Sequence, residues 1–290
     1  MSGFFDYVIV SPVKDEERYL PLTLRSVTSQ TVLPRRWIIV SDGSTDATAR
    51  IARKWAVRHP WITVVEKENE GGRRRGGGVV RAFHKGFFEL IDEPWEFVVK
   101  LDGDLSFEPR FFERIFKEFA RRPRLGISSG ISYAWTGTGW MEEKASRGYT
   151  YGETKVYRRR CFEEIGGLVE HMGWDGIDHV KAIQLGWEAE QTPGVVFYHH
   201  RRQGQATGLL RAELEEGLCS YFMGYHPLFL LARGIRHMKC YPYGIGGLAL
   251  IASYGWHWLK QTPRYQDQEF TRFLRRNQLR KLLLQKTDFF

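Results

Sequence analysis

Over the first 200 positions, short apolar runs alternate with stretches of helical spacing. Tyr7-Val8-Ile9-Val10-Ser11, Trp37-Ile38-Ile39-Val40-Ser41, Ile62-Thr63-Val64-Val65 and Phe97-Val98-Val99-Lys100-Leu101 each read as a buried strand, rich in β-branched residues. Pro12 is expected to stop the first of them. Leu20, Leu24 and Val27 recur at helical spacing, as do Ala47, Ile51, Ala52 and Trp55, and a third helix is predicted around Val79–Leu90. Beyond these come a helix carrying Phe111, Ile115, Phe116 and Phe119, a strand at Ile127–Ile131 and a short strand at Thr154–Tyr157. A short helix at Arg159–Ile165 is closed by Gly166-Gly167, and the turn Met172–Asp178 opens a helix to about Leu185. Val195–His200 reads as the last strand. The glycine-dotted stretch Tyr133–Tyr151 looks irregular, a mobile loop over a site.

Strand–helix alternation of this kind predicts an α/β fold, with a mostly parallel sheet flanked by helices. After Arg201 the pattern turns helical, with runs over about Leu209–His237, Tyr243–Leu259 and Gln268–Leu284 punctuated by Pro227, Pro242 and Pro263. The expected organisation is therefore a catalytic domain over 1–205 and a helical extension over 206–290.

Charge sharpens that division. Of the net +9, almost all lies in the tail, where 14 Lys and Arg face 6 Asp and Glu from Arg201 onwards. A near-neutral body with a basic tail points to an acidic partner or surface. The 42% hydrophobic and 27% charged content is that of an ordinary globular chain. Three widely spaced cysteines, Cys161, Cys219 and Cys240, make neither a disulfide framework nor a zinc pattern. With no basic, apolar leader at the N-terminus, the expected location is the cytoplasm or the inner face of its membrane.

The chemistry gathers where strands end in acids. Asp102-Gly103-Asp104 follows the fourth strand and Asp42-Gly43-Ser44-Thr45-Asp46 the second. In open parallel sheets, ligands bind at the carboxyl edge of the strands. Two carboxylates one residue apart repel unless a cation sits between them, and oxygen ligands suit Mg²⁺ or Mn²⁺ bound to phosphate oxygens. The same triplet also serves as an Asp-Gly turn that caps a helix. Arg73-Arg74-Arg75 beside Gly76-Gly77-Gly78 offers charge and open amides for a diphosphate. No Gly-Lys-Ser/Thr follows these glycines, and no G-x-G-x-x-G follows the first strand, which speaks against a P-loop and a dinucleotide dehydrogenase.

Taken in order, these motifs resemble family 2 glycosyltransferases of the GT-A fold, of the bacterial surface-polysaccharide type. Val10-Ser11-Pro12-Val13-Lys14-Asp15-Glu16 is similar to the family's opening signature, with Asp15 for the usual Asn. Val40-Ser41-Asp42-Gly43-Ser44-Thr45-Asp46 resembles its Asp-Asp-Gly-Ser-Thr-Asp element, with Ser41 for the first Asp. Asp102-Gly103-Asp104 matches its Asp-x-Asp element, and Val156-Tyr157-Arg158-Arg159 with Ile165-Gly166-Gly167 resembles the stretch before the acceptor site. Gly173-Trp174-Asp175 stands in the place of a Glu-Asp pair, with Trp174 for Glu. The likeness spans about residues 7–200.

The resemblance implies a nucleoside-diphosphate sugar donor, UDP- or GDP-linked, a divalent cation, and a saccharide or lipid-linked acceptor. It assigns Pro12, Glu16, Asp42, Arg75, Asp102, Gly103 and Asp104 to the nucleotide sugar, with Asp42 reading the base, Glu16 the ribose or base surroundings and Asp102 the ribose or sugar. Asp104 would ligate the metal, with His199 or His200 completing its shell. Asp175 would be the general base of an inverting transfer, with Asp178 behind it and Arg81 a further phosphate candidate. A helix N-cap is the other reading of Asp175.

Two other functions compete. A polyprenyl-phosphate glycosyltransferase would need a membrane-docked tail. An aspartyl phosphohydrolase would carry its Asp-x-Asp on the first strand, where this chain has none. Cys240–Leu259 holds no charged residue and is a transmembrane candidate diluted by Pro242 and glycines. The last helix mixes Phe270, Phe273, Leu274, Leu282 and Leu283 with five cations, the pattern of a helix on an anionic bilayer or of one packed on the body. No nucleic-acid recognition motif accompanies the charge.

Overall fold

The computed structural model describes residues 5–68, 76–143, 148–201, 208–239 and 243–284. Its contacts divide the chain into two compact units, meeting at Arg201 and Arg202.

The first unit opens with β1 (Tyr7–Val13), α1 (Leu20–Thr28), β2 (Arg36–Asp42), α2 (Thr48–Ala56), β3 (Ile62–Lys67), α3 (Gly77–Phe88) and β4 (Phe97–Leu101). It continues with β5 (Leu105–Phe107), α4 (Phe111–Arg121), β6 (Leu125–Trp135), β7 (Trp140–Glu142), β8 (Thr154–Arg158), α5 (Arg159–Glu164), α6 (Trp174–Gln184) and β9 (Glu188–His199). The strands form one mixed sheet in the order β3-β2-β1-β4-β8-β6-β9-β5, with β7 paired to β6. The β3-β2-β1-β4 half is parallel, as the alternation of strands and helices requires. Beyond β4, β8 pairs antiparallel with both β4 and β6.

Because the strands are covered on both faces, they read as continuous apolar runs. One face packs on α1, α2 and α4 through a cluster that includes Leu24, Ile39, Val99, Phe112 and Phe116. The other packs on α3 and α5 through Val10, Ile38, Phe83, Val98 and Phe162.

Three expectations change. Pro12 does not end β1, which runs on to Val13. The last β1–β4 pair is Val10 with Lys100, so the missing Pro12 N–H costs no pairing on that flank. The stretch expected to be an irregular loop holds a hairpin, in which β6 continues to Trp135 and pairs Tyr133 with Glu142. Residues 144–147 lie outside the described residues. The last strand starts at Glu188, seven residues early; Pro193 and Gly194 fall where the β6 register jumps from Ser129↔Gln191 to Ile131↔Val196. A bulge accommodates both residues without ending the strand.

The second unit holds α7 (Leu209–Phe222), α8 (Pro227–His237), α9 (Ile245–Leu259) and α10 (Gln268–Leu284). Pro227 splits the long predicted helix, because it sits at the first turn of α8, where no N–H is needed. Glycines let these helices approach closely, since a methyl on Gly217 would collide with the Leu250 carbonyl oxygen. Phe270 and Leu274 of α10 are fully buried, so these two face inward. Of the uncharged run read as a transmembrane candidate, residues 240–242 lie outside the described residues and Ile245–Leu259 form the 15-residue α9. Among the described residues, no helix is long and apolar enough to cross a membrane.

Candidate active site

Parallel pairing sets β1, β2 and β4 side by side with their carboxyl ends together. Asp42 is the last residue of β2, and Asp102 follows the last residue of β4. Asp42 faces its register partner Lys67, with Lys67 Nζ 3.1 Å from Oδ1. The loops after β1 and β2 are stitched together. Thr45 N–H donates to Asp15 Oδ1 (2.8 Å), Glu16 N–H to Thr48 Oγ1 (2.7 Å) and Ala47 N–H to Glu17 Oε2 (3.0 Å). Asp15 adopts a left-handed φ of 52°, a conformation Asn and Asp tolerate better than most.

Gly103 has a steric reason to be glycine. A Cβ there would lie 2.7 Å from Val13 Cγ1, so the Asp-x-Asp loop lies directly on the end of β1. Immediately after it, β5 pairs antiparallel with β9, matching Leu105 with His199. This short strand escaped the sequence reading, yet it decides the neighbourhood of Asp104. His199 Nε2 comes within 3.3 Å of Asp104 Oδ2, and His200 N–H donates to the Asp104 carbonyl (3.0 Å). Arg201, next in the chain, places Nε 3.6 Å from Asp104 Oδ2 and Nη2 2.6 Å from Glu16 Oε2. Arg201 thus ties the β1 loop to the Asp-x-Asp loop. It was not among the sequence candidates; a cation directly after two histidines at a strand end was the available signal.

Burial by itself would discharge His199. The hydrogen bond to Asp104 and the charges of Asp104, Glu153 and Asp102 outweigh it and lift the imidazole to about 9. Burial raises Glu153, whose carbonyl accepts the Asp102 N–H (2.9 Å). The His199 Nδ1 atom is buried without a hydrogen-bond partner. His200 faces elsewhere: Nε2 is 2.8 Å from Ser106 Oγ, and the ring stacks near Tyr19 and meets Trp140 edge-on.

A second cluster sits one strand over. Antiparallel pairing of β4 with β8 puts Lys100 directly opposite Lys155, and both are buried. Like charges facing across a strand pair repel. Each is neutralised locally: Lys100 Nζ binds Asp102 Oδ1 (2.6 Å) and Lys155 Nζ binds Asp178 Oδ1 (2.6 Å). The Trp174 ring lies over both ammonium groups, at 5.2 and 5.4 Å. Trp174 begins α6, behind the left-handed Gly173 (φ 85°), and Asp175 follows in its first turn. There the helix dipole favours a carboxylate. Tyr149 OH donates to Asp175 Oδ2 (3.0 Å), and Lys155 Nζ also donates to the Asp175 carbonyl. A charged residue inside a valine run needs a partner, which is how Lys100 and Lys155 were open to detection in the sequence.

The two clusters therefore communicate: Asp104 is two residues from Asp102, Asp102 holds Lys100, and Lys100 supports the residue before Asp175. Asp178 is set apart by burial. Closed off beneath α6, it is held by Lys155, Tyr157 OH and the His179 N–H, and burial pushes it up to about 6 against these partners. Its side chain is only 1% exposed. Arg75 lies outside the described residues. The exit of its loop is fixed, however: Gly76 has φ 66°, and a Cβ there would overlap the Met172 backbone, just before α6. Arg81, half-buried on α3, lies near Gly77.

The model of the family described as glycosyl transferase family 2 matches residues 8–174. The chain belongs to that family. Its mixed α/β body is the GT-A fold. Among sequence relatives it is 28% identical over 218 residues to the O-antigen biosynthesis protein RfbC of Myxococcus xanthus, covering 70% of this chain and 16% of that protein. It is 32% identical over 165 residues to the putative glycosyltransferase EpsH of Bacillus subtilis (56% and 44%). It is 33% identical over 118 residues to the dodecaprenyl-phosphate galacturonate synthase of Rhizobium johnstonii (39% and 32%). The chain spans less than half the length of these relatives. Among solved structures, residues 1–349 of S. aureus TarS with UDP-GlcNAc superpose with a TM-score of 0.56 at 18% identity, covering 74% of this chain and 66% of that one. The mannosyltransferase PcManGT of Pyrobaculum calidifontis, with GDP-Man and Mn²⁺, gives 0.56 at 17% identity, covering 97% and 88%.

Proposed function

We propose that this glycosyltransferase moves a sugar, with inversion, from a nucleoside-diphosphate sugar to a hydroxyl of a saccharide or lipid-linked acceptor in surface-polysaccharide synthesis. The observation that carries the reading is that Lys100, which binds Asp102 Oδ1 and lies against the Trp174 ring, links the Asp102-Gly103-Asp104 loop to the residue before Asp175 at the start of α6. Asp42 and Glu16, at the ends of β2 and β1, are the donor-nucleotide contacts, with Pro12 and Gly103 shaping the floor. Asp102 faces the ribose or sugar, and Arg75 and Arg81 the diphosphate.

A divalent cation fits Asp104 and His199. They bring a carboxylate oxygen and an imidazole nitrogen to 3.3 Å; a cation there would displace the proton His199 shares with Asp104, and this mixed set suits Mn²⁺ better than Mg²⁺. Among the described residues no three His, Cys, Asp or Glu side chains gather into a metal cage, so substrate phosphates would have to supply the remaining ligands. A cation held there would supply positive charge against that developing on the departing diphosphate.

The chain's own residues do the rest. Asp175 accepts the acceptor's hydroxyl proton as its oxygen bonds to the anomeric carbon, and the carbon–oxygen bond to the diphosphate breaks on the opposite side. Tyr149 and Lys155 hold Asp175 in place. Arg201 holds the Glu16 and Asp104 loops at one separation. The polyprenyl-phosphate variant is the second reading, favoured by the similarity to a dodecaprenyl-phosphate synthase.

The test is a panel of UDP- and GDP-sugars with and without Mn²⁺, read as nucleoside diphosphate released. One donor is expected to be turned over in a cation-dependent way, and Asp104→Ala is expected to abolish that dependence. Turnover by Asp104→Ala equal to that of the parent, at the same cation response, overturns the assignment. Undecaprenyl phosphate against oligosaccharide acceptors separates the two readings.

A further inference from the structure

The second unit carries an apolar surface that nothing in the proposed chemistry uses. On α8, Leu228, Leu231 and Ile235 are exposed; on α9, Ile245, Leu248, Trp256 and Leu259 are exposed. At 100° per residue each set falls within an arc of about 80°, and Trp258 of α9, also exposed, lies about 80° beyond the edge of its set. These are stripes, and Ile235 and Leu248 are each 58% exposed.

The stripes join. Met238 lies against Gly247 and Gly234 against Ile251, so α8 and α9 run antiparallel. On α8 the exposed stripe sits about 90° round the helix from Gly234, and on α9 about 120° round from the Gly247–Ile251 contact, in the same sense. Antiparallel packing turns both to the same side. The two glycines allow this close crossing, because a methyl on Gly247 would strike the Gly234 carbonyl oxygen. Exposed apolar side chains gathered on one face, rather than scattered singly, mark an interaction site.

Charge selects the occupant. From Gly217 to Tyr265 there is no Asp or Glu, while Arg233, Arg236, Lys239, Lys260 and Arg264 are all basic. Arg233 turns inward to Glu216 (2.7 Å). Arg236 and Lys239 are exposed beside the α8 stripe and pair with no acid among the described residues. Lys260 Nζ lies 4.4 Å from the centre of the Trp256 ring, at the far end of the α9 stripe. Apolar anchors, a tryptophan at the edge and a cationic rim are the features of a structure resting in the headgroup layer of an anionic membrane. α9 has 15 residues, too few to span.

We propose that the joined faces of α8 and α9 form a membrane-docking surface for an anionic bilayer. It lies flat on the headgroups, with Leu228, Ile235, Leu248 and Trp256 inserted and Arg236, Lys239 and Lys260 on lipid phosphates. This differs from docking by the last helix, whose Phe270 and Leu274 are buried.

The experiment is sedimentation of the full chain with vesicles of phosphatidylglycerol and phosphatidylethanolamine, against vesicles of phosphatidylcholine alone. Binding is expected only to the anionic vesicles, weakening as salt is raised. Leu248→Glu and Ile235→Glu are each expected to reduce binding by about tenfold or more, the worth of one buried aliphatic side chain. The pair Arg236→Ser/Lys239→Ser is expected to erase the preference for anionic lipid. Because these positions are exposed, circular dichroism of the variants is expected to match the parent; if Leu248→Glu misfolds, Leu231→Glu takes its place. Donor turnover without vesicles is expected to be unchanged in every variant, so failure of docking and failure of the transferase reading are separate results. The inference is overturned if the parent stays in solution with anionic vesicles, or if Leu248→Glu and Ile235→Glu sediment like the parent. It is also overturned if light scattering finds a dimer that these substitutions split, which would make the face a contact between two copies.

Discussion

Replacing Lys155 by Met tests the strongest electrostatic commitment in the fold. Its ammonium is fully buried and 2.6 Å from Asp178 Oδ1, whose side chain is 1% exposed. Met matches the aliphatic stem, so little packing is lost, but Asp178, already pushed up to about 6 with Lys155 present, loses its counterion and must either take up a proton or stay charged in a buried site. Removing one partner of a buried pair costs about 3–5 kcal/mol. Two effects oppose this. Tyr157 OH and the His179 N–H still donate to Asp178, and the repulsion between Lys100 and Lys155 disappears. The second is worth about 0.2–1 kcal/mol, so the loss dominates. For a unit of this size the melting temperature is expected to fall by about 6–20 °C, followed by circular dichroism. Lys155→Met/Asp178→Asn removes both charges and is expected to recover most of that loss. Its turnover should stay low, because the Asp175 carbonyl has still lost the Lys155 donor. A drop of less than about 3 °C in the single variant, or strict additivity in the double, would refute the argument.

Further expectations concern the base, the loop and acid stability. Asp175→Asn keeps the shape of the α6 first turn but cannot take a proton, so kcat is expected to fall by about 10²–10⁴ with donor affinity retained in calorimetry; normal turnover removes Asp175 from the role. Gly103→Ala puts a methyl 2.7 Å from Val13 Cγ1 and is expected to cost about 1–3 kcal/mol in denaturant unfolding, with weaker donor binding. His179 is buried, and burial followed by the Lys155 charge holds it near 3, well below its ordinary 6.5. The unfolded chain takes up a proton there and the folded chain does not. Stability from this group is therefore intact above about 6.5 and lost at about 1.4 kcal/mol per pH unit between 6.5 and 3. His179→Gln is expected to flatten that slope in urea unfolding between pH 6.5 and 4.5; an unchanged slope assigns it to other groups.

Apolar period and punctuation were enough for the α/β alternation, the four-strand parallel half and the tail of helices, because each of those elements is specified locally. Valine-rich runs ending in Asp also located the acidic loops at strand ends, since a chain leaving a buried sheet must turn polar. The sequence misjudged places where a distant strand supplied the missing constraint. Pro12 stays in β1 because β4 has already parted from it, and Pro193 stays in β9 because β9 itself bulges there against β6. A three-residue β5 has no periodicity of its own and exists only because β9 pairs with it.

The site divides in the same way. Asp42, Asp102 and Asp104 were legible as acids at strand ends, and Asp175 as the acid opening a later helix, its role coming only from the resemblance. That His199 rather than His200 meets Asp104 depends on one register, Leu105 against His199, and a slip of one residue would exchange them. The burial of Asp178 and the lysine pair under Trp174 follow from β4 meeting β8, strands more than 50 residues apart in the chain. Local pattern fixes which backbone a segment adopts. Which side chains share a charge is decided only when the sheet closes, because electrostatic partners are set by distance through space and not along the chain.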